Sequence, residues 1–293
     1  MIDNNSSVSL THSMNVFYDA TTIKEHLNEL SDKDISTGFV PTMGALHDGH
    51  VSLINRAKQE VDQVICSIFV NPLQFNRKED LENYPNRVKE DTAILEKAEC
   101  DILFLPDYET MYPKSPDLSF NFGSIAKGME AKYRPQHFEG VAAVIRRFFE
   151  ILSPDKAYFG EKDFQQLAII RWLRDAYNFK TEIVGCKTLR AKNGLALSSR
   201  NYLLTEKDLK KAAFIYKTMS FAKENKSSYS PNNLVDICKD KLSKNDFQVD
   251  YFSIVDEKTL QEISNWSETE SPRVFVAAYL SGVRLIDNIS LIH

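Results

Sequence analysis

The stretch Gly38-Phe39-Val40-Pro41-Thr42-Met43-Gly44-Ala45-Leu46-His47-Asp48-Gly49-His50 reads as a buried strand, a tight glycine turn and the opening of a helix. Residues 34–42 supply the strand. Val51, Leu53, Ile54 and Ala57 then recur at helical spacing over residues 49–60. A helix N-terminus presents unpaired N–H groups and the positive end of its dipole, which suits an anion such as phosphate. Gly44 and Gly49 let the backbone approach a ligand closely. His47 and His50 can donate hydrogen bonds without the fixed charge of lysine.

Three other readings compete for this turn. His47-x-x-His50 supplies two metal ligands on one helical face, but no third ligand has motif spacing. Gly44-x4-Gly49 has P-loop glycine spacing, yet His50-Val51 stands where Lys-Ser/Thr is required. Both histidines can also be satisfied polar residues at a helix cap.

Outward from the turn, strand and helix patterns alternate. Apolar runs at 63–70, 101–105, 156–159 and 181–185 have strand length, and residues 86–98, 140–152 and 163–177 have helical patterns. Such alternation with short links implies a parallel sheet covered by helices on both faces. After residue 185 the pattern changes. Residues 205–223 and 232–241 read as helices, 247–255 as a strand with one exposed face, and 273–280 with 283–289 as a hairpin across Ser281-Gly282. The expected fold is therefore an α/β, Rossmann-like domain over residues 1–188 and a smaller α+β lid domain with an antiparallel sheet over residues 189–293.

Composition bounds the function. Lys+Arg is 36 against Asp+Glu 41, a net charge of −5, which argues against a general nucleic-acid binder. No apolar run approaches the roughly 20 residues of a membrane span. The first 14 residues read as a polar lead-in without a secretory pattern, so a cytoplasmic location is expected. Cys66, Cys100, Cys186 and Cys238 form no C-x-x-C pair and read as buried free thiols. No two glycines are separated by one residue, which removes a G-x-G-x-x-G fingerprint.

Two further clusters fall where ligands bind in open parallel sheets, beyond the carboxyl ends of the strands. In Gly160-Glu161-Lys162-Asp163-Phe164-Gln165-Gln166, Lys162 suits a phosphate and Asp163 a ribose hydroxyl or a helix cap, while Gln165 and Gln166 offer paired donors and acceptors. In Gly194-Leu195-Ala196-Leu197-Ser198-Ser199-Arg200, two hydroxyls before an arginine suit a mobile phosphate clamp. Taken singly, an ordinary charged helix start and a solvated loop explain them better.

These clusters, with Phe69-Val70-Asn71-Pro72-Leu73-Gln74-Phe75, Tyr84-Pro85 and Arg134-Pro135-Gln136-His137-Phe138-Glu139-Gly140-Val141, strongly resemble the pantothenate synthetase (pantoate–β-alanine ligase) family of adenylate-forming enzymes. The resemblance is dense over residues 38–203 and continues more weakly to Ile289. It implies an ATP-dependent reaction in two steps, through pantoyl adenylate, that releases pyrophosphate and AMP. Met43, Gly44, Ala45, Leu46, His47, Asp48, Gly49 and His50 would line the ATP site, with His50 at the family's proton donor. Gly160, Glu161, Lys162 and Asp163 would hold ribose and phosphate, Leu197, Ser198, Ser199 and Arg200 would clamp phosphate, and Leu189 would meet adenine through its backbone. Gln74 and Gln166 would grip pantoate, with Asn71, Tyr84 and Arg134 as further pocket residues. Glu90 and Asp91 would lie near Mg2+. A homodimer, with small-molecule substrates pantoate and β-alanine and no nucleic acid or membrane partner, is also implied.

The chain departs from the family at Cys186-Lys187-Thr188-Leu189, where Val-Pro-Thr-Val is usual, and at Glu139. A nucleotidylyltransferase and a non-catalytic nucleotide-binding protein are the competing classes. The Gln74–Gln166 pair speaks against the first, and the joint presence of His47, His50, Lys162, Ser198, Ser199 and Arg200 speaks against the second.

Overall fold

A computed structural model of the chain describes residues 13–76 and 78–292. The polar lead-in at the N-terminus falls almost entirely outside them. Six strands form a parallel sheet: β1 (Asn15–Phe17), β2 (Thr37–Thr42), β3 (Gln63–Ile68), β4 (Ile102–Phe104), β5 (Lys156–Gly160) and β6 (Glu182–Cys186). Their spatial order is β1-β4-β3-β2-β5-β6. The order reverses between β2 and β5, so the chain leaves these two neighbours toward opposite sides and opens a crevice at their carboxyl ends. The turns carrying His47 and Lys162 both start from that crevice.

Burial on both faces explains the continuous apolar runs. Phe39, Ile65 and Phe104 pack on one face under the long helix His137–Leu152, while Val40, Cys66 and Leu103 pack on the other with Ile54 and Leu95. Alternate residues of a strand point to opposite faces, so each strand feeds two cores. Within the long helix, a Cβ at Gly140 would lie 2.3 Å from the Leu73 carbonyl oxygen. Glycine there lets the helix press directly on the short turn Pro72–Gln74.

A second sheet is antiparallel, with β7 (Gln248–Asp256), β8 (Pro272–Leu280) and β9 (Val283–Ser290) in that order. Ser281 (φ 50°) and Gly282 (φ 79°) make the two-residue hairpin turn between β8 and β9. Residues 205–223 are not one helix. They divide into Glu206–Ala212 and Phe214–Glu224, at a join that neither glycine nor proline marks. Nor is the 247–255 strand open on one face. Phe252 and Ile254 pack into the core of this second unit, whereas Tyr251 and Val255 join Phe164 and Phe275 in the core shared with the parallel sheet. The face expected to be exposed is the seam between the two sheets. The strand Asn15–Phe17 and the helix Ala20–Ser31, capped by Asp19, add to the elements expected from the sequence.

Candidate active site

The seam and the crevice share a cavity of about 310 Å3. Its wall contains Met43, His47, Gly49, His50, Gln74, Tyr84, Arg134, Gly160, Lys162, Asp163, Gln166, Leu189 and the run Leu197 to Arg200. Residues spread over more than 150 positions of sequence are thus brought together.

The first turn is built by its backbone. Gly44 (φ 80°) and Ala45 (φ 50°) are both left-handed, which swings the chain away from β2. Asp91, buried in the helix Val88–Lys97, accepts the N–H groups of Ala45 and Leu46, each at 2.8 Å. A Cβ on Gly44 would stand 2.9 Å from Asp91 Oδ2. Asp91 is therefore the buttress under the turn and not a metal ligand facing the cavity. Both its oxygens are committed, and Glu90 beside it is exposed. Among the described residues no group of three His, Cys, Asp or Glu has metal-binding geometry. The pair Glu90 and Asp91 does not fit a magnesium site.

His47 and His50 combine the capping and the ligand readings. His47 is the N-cap of the helix Asp48–Ala57, and its Nδ1 accepts Gly49 N–H at 3.0 Å. His50 Nδ1 accepts the His47 N–H at 3.2 Å. The two Nδ1 atoms are acceptors, so both rings are neutral tautomers with the proton on Nε2. Burial, then the Lys162 charge, pulls His47 down to about 4, against Asp48 and Asp163. Burial, then His47 and Lys162, takes His50 to about 3. The sequence offers this pair as cap or ligand; one nitrogen of each ring caps the helix and leaves the other for the cavity.

Gln74 is shaped from behind. Asn71 Nδ2 donates to Gln74 Oε1 at 3.3 Å and to the Gly140 carbonyl at 3.0 Å, while Asn71 Oδ1 accepts the Tyr112 hydroxyl. Asn71 is buried and does not reach the cavity wall; it holds Gln74. His137 Nδ1 lies 2.9 Å from the Gln74 carbonyl and donates to it, because that oxygen only accepts. Burial, then the Arg134 charge, lowers His137 to about 3, so it too is neutral. Gln165 is not a ligand group. Both it and Gln166 line the cavity, but the Gln165 amide is spent on Ile125 and Gly128 carbonyls and on the Glu130 N–H.

From the other side, Ser199 Oγ donates to the Ala45 carbonyl at 3.1 Å, and Ser198 Oγ accepts the Arg200 N–H at 3.3 Å. Arg200 is exposed at the cavity mouth. Burial raises Tyr84 to about 12, so its phenol is a neutral donor. Leu189 lies at the rim with its carbonyl accepting Leu197 N–H at 3.0 Å. Gly44, Ala45, Leu46, Asp48 and Glu161 support the wall from outside it.

Sequence reading misses Glu130. It is buried, lines the cavity and accepts both Nη atoms of Arg284 at 2.8 Å, the Tyr251 hydroxyl at 2.9 Å and Arg134 at 3.5 Å. Burial raises its pKa, but hydrogen bonds and charge from Arg284 outweigh that and leave it at about 2. No local motif surrounds Lys127-Gly128-Met129-Glu130; the only hint is one acidic residue in a stretch leading into a buried helix.

The depressed histidines predict acid sensitivity. Their folded pKa values lie below the ordinary 6.5, so the unfolded chain binds more protons below that pH. Stability is full above about pH 6.5 and falls as pH drops toward the folded values. His50 and His137 should each cost roughly 1 kcal/mol by about pH 5.5. Urea midpoints at about pH 7.5 and about pH 5.5 check this; a midpoint that does not move contradicts it.

A parallel sheet with two helix-opening turns at its switch point, faced across a cleft by a Ser-Ser-Arg loop, defines an α/β protein whose cleft suits an anionic ligand. The family model described as pantoate-beta-alanine ligase matches residues 15–290, and the chain belongs to that family of ligases. It is 42% identical over 273 residues to the pantothenate synthetase of Cytophaga hutchinsonii, covering 92% of this chain and 96% of that protein. It is also 42% identical over 277 residues to that of Porphyromonas gingivalis, covering 94% and 99%. Among solved structures, a Thermus thermophilus pantothenate synthetase superposes with a TM-score of 0.87 at 37% identity, covering 96% of this chain and 100% of that one. The Francisella tularensis pantoate-beta-alanine ligase, complexed with beta-gamma ATP and beta-alanine, superposes with a TM-score of 0.78 at 35% identity, over 95% and 98%.

Proposed function

We propose that this chain condenses pantoate with β-alanine in one cavity, using ATP and passing through pantoyl adenylate. The observation that carries the reading is the convergence of His47, His50 and Lys162 with Gln74 and Gln166 on a single wall. The first three are donors for phosphate, and the two glutamines suit a small hydroxy acid. The Francisella relative in complex with beta-gamma ATP and beta-alanine supports the choice of substrates.

In the first step the pantoate carboxylate attacks the α-phosphorus, the P–O bond to the β-phosphate breaks, and pyrophosphate leaves. Negative charge gathers on the phosphoryl oxygens, so preorganised donors there lower the barrier. The Nε2–H groups of His47 and His50 and the ammonium of Lys162 fill that role. His50, held neutral, acts as a hydrogen-bond donor from Nε2. Arg200 and Ser198 close on the phosphates from the lid, residues 189–293. ATP enters as its magnesium complex, the ion arriving with the substrate. In the second step the β-alanine amine attacks the acyl carbon, the bond to AMP breaks, and the amine proton is lost to solvent.

No protein nucleophile takes part. The thiols are buried, and burial pushes Cys186 up to about 11 and Cys100 and Cys238 to about 12, so none is a thiolate near neutral pH. A homodimer, drawn from the family resemblance, belongs to the same proposal; light scattering that returns 33.5 kDa contradicts it.

AMP release should require pantoate, β-alanine and ATP together. Gln74→Ala should raise the KM for pantoate about tenfold or more with a smaller change in kcat, as for lost ground-state binding. AMP release that continues with pantoate omitted contradicts the proposal.

A further inference from the structure

The turn that carries Lys162 is held from the other sheet. Asn288, in β9, is buried, and its Nδ2 donates to the carbonyl oxygens of Glu161 at 2.9 Å and Lys162 at 2.8 Å. Its Oδ1 accepts Arg273 Nη1 at 2.6 Å. A guanidinium only donates, so the amide has one orientation, with oxygen toward Arg273 and NH2 toward the turn. Arg273 is fixed in turn. Its Nε donates to Glu257 at 2.9 Å, and its guanidinium lies 4.0 Å from the ring centre of Phe164, which opens the helix after the turn. The turn Glu161–Asp163 has no side-chain cap of its own.

We propose that Asn288 is a positioning residue for the ligase reaction: its two hydrogen bonds set the place of the Lys162 turn, so the ammonium reaches the reacting phosphate only when the antiparallel sheet is seated against the parallel one. The proposal rests on the role assigned to Lys162 above. The geometry gives the mechanism. The two carbonyls flank the backbone of Lys162, and a displacement of about 1 Å in a catalytic group is enough to cost on the order of 10²-fold. Asn288 itself sits behind the turn, so its effect passes through the backbone and not through contact with substrate.

Asn288→Asp keeps the size of the side chain and an acceptor for Arg273, and removes both donors. It should lower kcat for adenylate formation about 10–100-fold. The KM for pantoate should stay within about twofold, since Gln74 stands on another element and Gln166 is held by the body of the helix Phe164–Ala176. On a Lys162→Ala background the same change should cost less than about threefold further, because residues acting as one unit are not additive. Asn288→Ser keeps one donor and should fall between, and it carries the comparison if the Asp variant does not fold. An unchanged kcat, the same fold-loss on both backgrounds, a shared rise in pantoate KM, or loss of the fold in both variants overturns the proposal. If Lys162→Ala itself turns over normally, the role of Lys162 fails first. A slow Lys162→Ala beside a normal Asn288→Asp is the failure of this proposal alone.

Discussion

Lys162→Ala should slow adenylate formation about 10²–10³-fold, the loss expected when one preorganised donor to a developing charge is removed. The side chain is 16% exposed and lines the cavity from the turn after β5, with Asp163 3.5 Å away. It belongs to none of the apolar cores, so the thermal transition should barely move. The two histidines beside it are neutral, so the positive charge next to them on the wall comes from Lys162. Single-turnover measurement of AMP or pyrophosphate formation reads the effect. Near-normal turnover would make Lys162 an ordinary surface lysine.

Glu130→Ala should destabilise the protein by about 3–5 kcal/mol, the range for stripping one partner from a buried ion pair. The carboxylate is buried between Arg284 and Arg134 and accepts the Tyr251 hydroxyl. Its removal leaves Arg134 without its carboxylate, and leaves Arg284 with Asp250 at 2.7 Å as its remaining ion-pair partner. The pair is also a clasp, because Arg284 lies in β9 and Glu130 precedes the long helix of the first sheet. The sign with pH follows from a folded value of about 2 against an ordinary 4.5. This stabilisation is complete above about pH 4.5 and disappears as pH falls toward about 2. Urea unfolding at about pH 7.5 measures the change, and a loss under about 1 kcal/mol would show that the pair contributes no more than a surface salt bridge.

The parallel sheet is legible because its strands are buried on both faces and read as unbroken apolar runs between helical patterns. The hairpin announces itself at Ser281-Gly282. The first helix, Ala20–Ser31, carries a usable signal in Ile23, Leu27 and Leu30 at helical spacing behind the cap Asp19, as clear as that of several later helices, and sequence reading passes over it. What composition and periodicity hide is long-range pairing. Asp91 supports Ala45 from 46 residues away, Asn288 holds Lys162 from 126, and Arg284 meets Glu130 from 154. The family resemblance puts Asp91 near a metal, and the sequence alone does not correct it, because an acidic residue on a helix looks the same whether it faces a cavity or the underside of a turn. Gln165 and Gln166 are likewise indistinguishable until the fold commits the amide of Gln165 to backbone groups of residues 125, 128 and 130, although both line the cavity.

The adenylate is the central claim, and pyrophosphate exchange tests it most directly. Labelled pyrophosphate should pass into ATP when enzyme, pantoate and magnesium are present and β-alanine is absent, since the carboxylate of pantoate is the attacking group. His50→Ala should suppress that exchange. Exchange that appears only after β-alanine is added would contradict the account and require a concerted reaction of all three substrates.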